Sequence, residues 1–207
     1  MKNLPKLPEV PSFDLTGKKA LVVGASSGIG LSSACVLAAH GAIVTIAARR
    51  TNELKNIFEQ MKEKGWETKY LEMDIAKVEE TISLVNKNGP FDILVNSAGL
   101  ARHSPMIETT VEDFDQVMAV NVRGAYFLSQ AVANGMLNSG KAGSIINISS
   151  QMAHVGGLER AVYCASKFAV EGFTKSMAIE LGSSKIRVNT ICPTSVSYTH
   201  LTLPTKA

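Results

Sequence analysis

The chain has 207 residues, 45% of them hydrophobic and 19% charged, with a formal net charge of +3. That length suffices for one domain with a sizeable core, and the scattered lysines and arginines give no footprint for nucleic acid or a membrane surface. Cys35, Cys164 and Cys192 have neither CxxC nor metal-ligand spacing. Their odd number argues against a disulfide framework, so no metal and a reducing cytoplasmic setting are expected.

Residues 1–16, interrupted by Pro5, Pro8 and Pro11, read as a loose arm with neither signal peptide nor anchor. Residues 19–23 form an apolar, β-rich run that leads into Gly24-Ala25-Ser26-Ser27-Gly28-Ile29-Gly30. A helical pattern follows, through Leu31, Ala34, Cys35, Leu37 and Ala38 to a stop at Gly41. Strands are predicted at 42–48, 67–73, 91–95, 144–149 and 186–191. Helices are predicted at 52–64, 76–88, 111–118, 120–137 and 161–181. The strands are continuous apolar runs, not alternating ones. Strand and helix alternate throughout. This predicts an α/β fold, a Rossmann-type doubly wound parallel sheet with helices on both faces, over residues 17–196. Such sheets bind ligands at the carboxyl ends of their strands. Polar groups collect there: the glycine loop, Arg49, Asp74, Asn96 and Ser150.

In the loop, Gly24 permits a tight turn, Gly28 a close approach to a pyrophosphate, and Gly30 the packing of helix on sheet, with the helix N-terminus facing the anion. The second strand ends in Ala47-Ala48-Arg49-Arg50. An acid here would hold the ribose hydroxyl of NAD; two guanidinium groups suit the extra phosphate of NADP, which is therefore the expected cofactor over NAD. Farther on, Tyr163 and Lys167 are four apart and share a helix face. A fixed ammonium beside a phenol favours the phenolate, as general acid–base work requires. If the strand end at Ser150 abuts this helix, Ser150 and Tyr163 can hold one substrate oxygen. His103 and His154 read as solvated loop histidines.

Gly24-xxx-Gly28-Ile29-Gly30, Asn96-Ser97-Ala98-Gly99, Asn121, Ser150 and Tyr163-xxx-Lys167 together resemble the short-chain dehydrogenase/reductase family. The interval from Asp74 to Asn96, with Val162-Tyr163-Cys164 and residues 185–189, is similar to its L-xylulose/dicarbonyl reductase branch. The resemblance implies hydride transfer between a nicotinamide and a small carbonyl or alcohol substrate. It implies Tyr163 as acid/base and Lys167 as the residue that lowers its pKa and holds the nicotinamide ribose. Ser150 would orient the substrate oxygen, and Asn121 would support a water-linked proton relay. Gly24, Ser26, Ser27, Gly28, Ile29 and Gly30 would cradle the cofactor. Asp74 would meet the adenine amino group, Asn96, Ala98 and Gly99 the adenine-ribose side, and Pro193 and Val196 the nicotinamide. Departures are Val23 where the family has Thr, Ser97 where it often has Asn, and Thr194 where it has Gly. Apolar helix faces through Phe127, Phe168 and Phe173 imply a homodimer or homotetramer. The alternatives are an NAD-linked alcohol dehydrogenase of the same family and a nucleotide-binding protein without turnover.

The family continues past Pro193 with a substrate-covering helix and a seventh strand, for which residues 197–207 are too short and lack periodicity. The expectation is that native sequence ends near Val196. The last helix and strand would then be missing and the parent a few tens of residues longer. The present chain would be poorly soluble and inactive, because the uncovered edge strand invites aggregation.

Overall fold

A computed structural model of the chain describes residues 12–194. The expectations for residues 1–11 and for the tail, Val196 included, lie outside the described residues. The near end of the predicted arm is not loose: the Leu15 amide donates to the His40 carbonyl at 2.8 Å, and Leu15 packs against the core.

The strands are β1 (Lys19–Val23), β2 (Ile43–Ala48), β3 (Thr68–Glu72), β4 (Ile93–Asn96), β5 (Gly143–Ile148) and β6 (Ile186–Ile191). The helices are α1 (Gly28–Ala39), α2 (Thr51–Glu63), α3 (Val78–Asn88), α4 (Val111–Met118), α5 (Ala125–Asn138) and α6 (Ala161–Leu181). Among the described residues the strands form one parallel sheet in the order β3-β2-β1-β4-β5-β6, a Rossmann-type fold as expected. None of the described helices is long and apolar enough to cross a membrane.

The apolar runs exist because the inner strands are covered on both faces. In β1, Ala20 and Val22 pack with Ala34 and Ala38 of α1 and Leu54 and Met61 of α2. Leu21 and Val23 turn the other way, into a core with Leu128, Val132 and Met136 of α5 and Met177 of α6. Strand order reverses between β1 and β4, the switch point at which neighbouring loops diverge and leave a crevice. Gly24 sits there at φ +79°, and a Cβ on it would lie 2.7 Å from the Ala98 nitrogen. Only a glycine lets the β1 and β4 loops touch.

One prediction needs correction. The helices expected at 111–118 and 120–137 are not separate: α4 runs into α5 through a π-helical segment, Ala119–Gly124, that contains Asn121. Such wide turns commonly mark functional positions, because the extra residue re-aims a side chain.

Candidate active site

A cleft of about 550 Å³ opens along the carboxyl edge of the sheet. Its walls include Gly24, Ser26, Ser27, Gly28, Ile29, Arg49, Arg50, Asp74, Ala98, Gly99, Ser150, Tyr163, Lys167 and Pro193. Residues from Gly24 to Pro193 thus face one cavity, because each follows a parallel strand or lies on the helix beside β5 and β6.

At one end, the turn after β1 leads into the N-terminus of α1, whose first amides lack intrahelical partners and favour an anion. Arg50 reaches across from the end of β2 and donates to the hydroxyls of Ser26 (2.9 Å) and Ser27 (3.1 Å). It also pairs with Glu53 at 3.5 Å. Arg49 lines the same wall. The Asp74 carboxylate accepts from the Ala76 amide at 3.1 Å, which orients it at the cleft margin.

At the other end stand Ser150, Tyr163 and Lys167. Ser150 caps a short 3₁₀ turn, its oxygen accepting from the Met152 amide at 3.1 Å, so its own proton stays available to donate. Lys167 is 95% shielded from solvent, and its Nζ donates to the Ile148 carbonyl at 2.9 Å. That tether holds Nζ 5.7 Å from the centre of the Tyr163 ring. Burial lowers the Lys167 pKa to about 8, against the opposing charge of Cys192. The ammonium therefore persists at neutral pH but sits close to its titration point. A half-buried phenol beside a buried ammonium and a hydroxyl donor is an arrangement able to pass a proton to a bound oxygen.

Three expected residues do not line the cleft. Gly30 is buried, and a Cβ on it would run into the backbone of Gly24, so its part is to let α1 pack on the turn. Asn96 turns inward: its Nδ2 donates to Asn147 Oδ1 at 3.2 Å, while its Oδ1 accepts from the Ala98 amide at 3.3 Å. It shapes the loop whose backbone faces the cleft. Asn121 is 1% exposed, with Oδ1 accepting from the Leu100 amide and Nδ2 donating to the Leu100 carbonyl, both at 2.8 Å. Nδ2 also donates to Ser166 Oγ at 3.0 Å, and Ser166 donates to the Tyr163 carbonyl at 2.7 Å. The side chain is thus a clasp joining the β4 loop, the π segment and α6.

Among the wall residues that sequence reasoning missed, two carry titratable side chains. His103, read as a solvated loop histidine, lines the cleft with its ring 6.2 Å from that of Tyr163 in an edge-on arrangement. Arg160, just before α6, also faces in. Loop positions have no periodicity to betray them.

The sequence profile of the short chain dehydrogenase family matches residues 18–206. Over 182 residues the chain is 41% identical to the L-xylulose reductase of Mesocricetus auratus, spanning 88% of this chain and 73% of that relative. It is 39% identical over 184 residues to carbonyl reductase [NADPH] 2 of Sus scrofa, spanning 89% and 74%. Among solved structures, a gluconate 5-dehydrogenase from Burkholderia cenocepacia in complex with NADP and tartrate superposes with a TM-score of 0.84 at 32% identity. That match covers 88% of this chain and 72% of the other. With the sheet order, the glycine turn and the cleft, these similarities place the chain in the short-chain dehydrogenase/reductase family, near its L-xylulose reductase branch, as an NAD(P)-dependent oxidoreductase.

Proposed function

We propose that the protein is an NADP-dependent reductase of small ketones, sugars or dicarbonyls, with Tyr163 as the proton donor. The observation that carries this reading is the single cleft that runs from two arginines at the end of β2 to the Ser150–Tyr163–Lys167 group. The groove fits a dinucleotide. Gly24 leaves room that a Cβ would fill, α1 presents its N-terminus, and β2 is followed directly by Arg49 and Arg50 in place of an acid that would repel a 2′-phosphate. Arg49 and Arg50 would hold that phosphate, the α1 turn the pyrophosphate, and Lys167 the nicotinamide ribose. The bound nicotinamide supplies the hydride.

The chain's own residues do the rest. Ser150 donates to the carbonyl oxygen and orients it. Tyr163 delivers its phenolic proton to the same oxygen as negative charge develops there, and the Lys167 ammonium stabilises the phenolate left behind. Asn121 keeps α6 and the β4 loop in register, so that donor and ribose site stay aligned. The exposed Phe168 and Tyr126 continue apolar faces of α6 and α5, which we assign to pairing of two copies. The relatives' names favour sugar and carbonyl substrates.

The test is a panel of ketoses, α-dicarbonyls and simple ketones, followed by loss of nicotinamide absorbance with NADPH and with NADH at equal concentration. NADPH-driven turnover of at least one class supports the reading. Preference for NADH overturns the cofactor assignment, and no turnover of any class with either cofactor, by this chain and by a version extended with the family's last helix and strand, overturns the enzyme assignment.

A further inference from the structure

One helical turn beyond Lys167 on α6, three side chains from separate elements converge outside the cleft walls. His154 follows the Ser150 turn, Glu171 lies on α6, and Cys192 immediately precedes Pro193 after β6. His154 Nε2 is 3.4 Å from Cys192 Sγ, and Sγ is 3.3 Å from Glu171 Oε1. All three potential ligand atoms lie within 4.8 Å of one another.

We infer that His154, Glu171 and Cys192 form a binding site for a divalent cation of the zinc class, with a fourth position left to water. A tetrahedral zinc with Zn–S about 2.3 Å and Zn–N or Zn–O about 2.0–2.2 Å has ligand–ligand edges of roughly 3.5 Å, close to the two edges at Cys192 Sγ, and the third lies within 4.8 Å. One sulfur, one imidazole and one carboxylate suit a borderline-soft ion; calcium and magnesium prefer all-oxygen shells. The carboxylate is already oriented. Thr190 Oγ1 donates to Glu171 Oε2 at 3.1 Å, leaving Oε1 turned to Cys192. Glu171 is only 7% exposed and makes no ion pair with lysine or arginine among the described residues. A buried carboxylate ordinarily has a cation or several donors to satisfy it. Burial opposes its charge, yet bonds from Cys192 and Thr190, the nearby Ser149 hydroxyl and the charge of His154 hold its carboxyl below the usual range. The Ser149 hydroxyl is buried and completes no hydrogen bond among the described residues.

Binding replaces the Cys192 thiol proton by the metal and releases that proton to solvent, with no change in oxidation state. It also ties the Pro193 segment to the Ser150 turn, which already meet through the Gln151 amide and the Pro193 carbonyl at 3.0 Å. A cation here stiffens the side of the cleft that carries Ser150.

The experiment strips the purified full chain with a chelator, removes the chelator, and titrates Co²⁺ followed by Zn²⁺. The expected result is one Co²⁺ per chain with a thiolate-to-cobalt charge-transfer band that Zn²⁺ displaces. Cys192→Ser should abolish the band, while the double variant Cys35→Ser/Cys164→Ser keeps it. His154 is exposed, so His154→Ala should fold normally and bind at least about tenfold more weakly. No band, a band that survives Cys192→Ser, or unchanged affinity in His154→Ala overturns the site and leaves the three groups as a hydrogen-bonded chain only. If Cys192→Ser does not fold, the His154→Ala affinity alone decides.

Discussion

The two halves of the sheet's carboxyl edge are built on opposite plans. The β1–β3 half offers backbone and exposed charge. Its turn is shaped by glycines, and Arg49 and Arg50 reach in on solvent-exposed side chains. The β4–β6 half is held from behind by buried polar groups. Asn147 accepts from Asn96 (3.2 Å) and Ser129 (3.4 Å) and donates to Thr174 (3.3 Å), while Asn121 clasps Leu100 and Ser166. A cofactor must be bound and released, for which adjustable contacts suffice. A proton must be delivered at a fixed distance, and small displacements there are costly. Substitutions in the first half should therefore alter affinity, and those in the second should alter rate or stability.

The largest expected effect tests that division at its sharpest point. Tyr163→Phe keeps the ring and removes the proton, so carbonyl reduction should fall by ~10²–10⁴-fold with NADPH affinity intact. Steady-state rates and a fluorescence titration measure both, and a near-parent rate would end the assignment of Tyr163. Next in size, Arg49→Ala with Arg50→Ala should weaken NADPH by ~1.5–3 kcal/mol for each charge-assisted bond lost, and NADH little. Equal weakening of both cofactors would show that neither guanidinium reads the 2′-phosphate.

Asn147→Ala, behind the second half, should lower stability by about 1–3 kcal/mol, since it strands Asn96 and Thr174 without their buried partner. The readout is the thermal midpoint, and the ratio of NADPH to NADH affinity should not move. A parent-like midpoint would mean that the network does not stiffen this half.

The smallest effect is a pH dependence set by Lys167. With its pKa near 8 in the fold against an ordinary 10.5, the unfolded chain binds the extra proton between those values. Stability contributed by this group therefore rises with pH across that window. Reduction, which draws on the ammonium, should decline as pH passes about 8. Urea midpoints at the two ends of the window, parent minus Lys167→Met, isolate the stability term. No difference between the two proteins would place the titration elsewhere.

The parallel α/β class and the polar groups at the strand ends were largely legible because they follow from patterns of short range. The run 19–23 ahead of Gly24, and the four-residue spacing of Tyr163 and Lys167, carry periods that a chain displays openly. The inward turn of Asn96 was not legible, because its partner Asn147 lies 51 residues away and is met only through strand pairing at Asn96↔Asn147. Asn121 was singled out, but the clasp that its side chain forms was not legible. Both ends of its amide are committed to Leu100, and the π segment that aims it has no sequence period of its own.

By itself the sequence determined the α/β class, the placement of the strands, the glycine turn and the identity of the polar groups at strand ends. All of these rest on local backbone preferences and on apolar patterning read within a window of a few residues. Only the tertiary structure decided which of those groups face one cavity and which brace it from behind. It alone lowered the Lys167 pKa, because burial is a property of the packed chain, and it alone brought His154, Glu171 and Cys192 together. Their separations of 17 and 21 residues match no helix or strand repeat. They meet only because β5 and β6 end side by side in the parallel sheet, with α6 packed against β6 and the Ser150 turn.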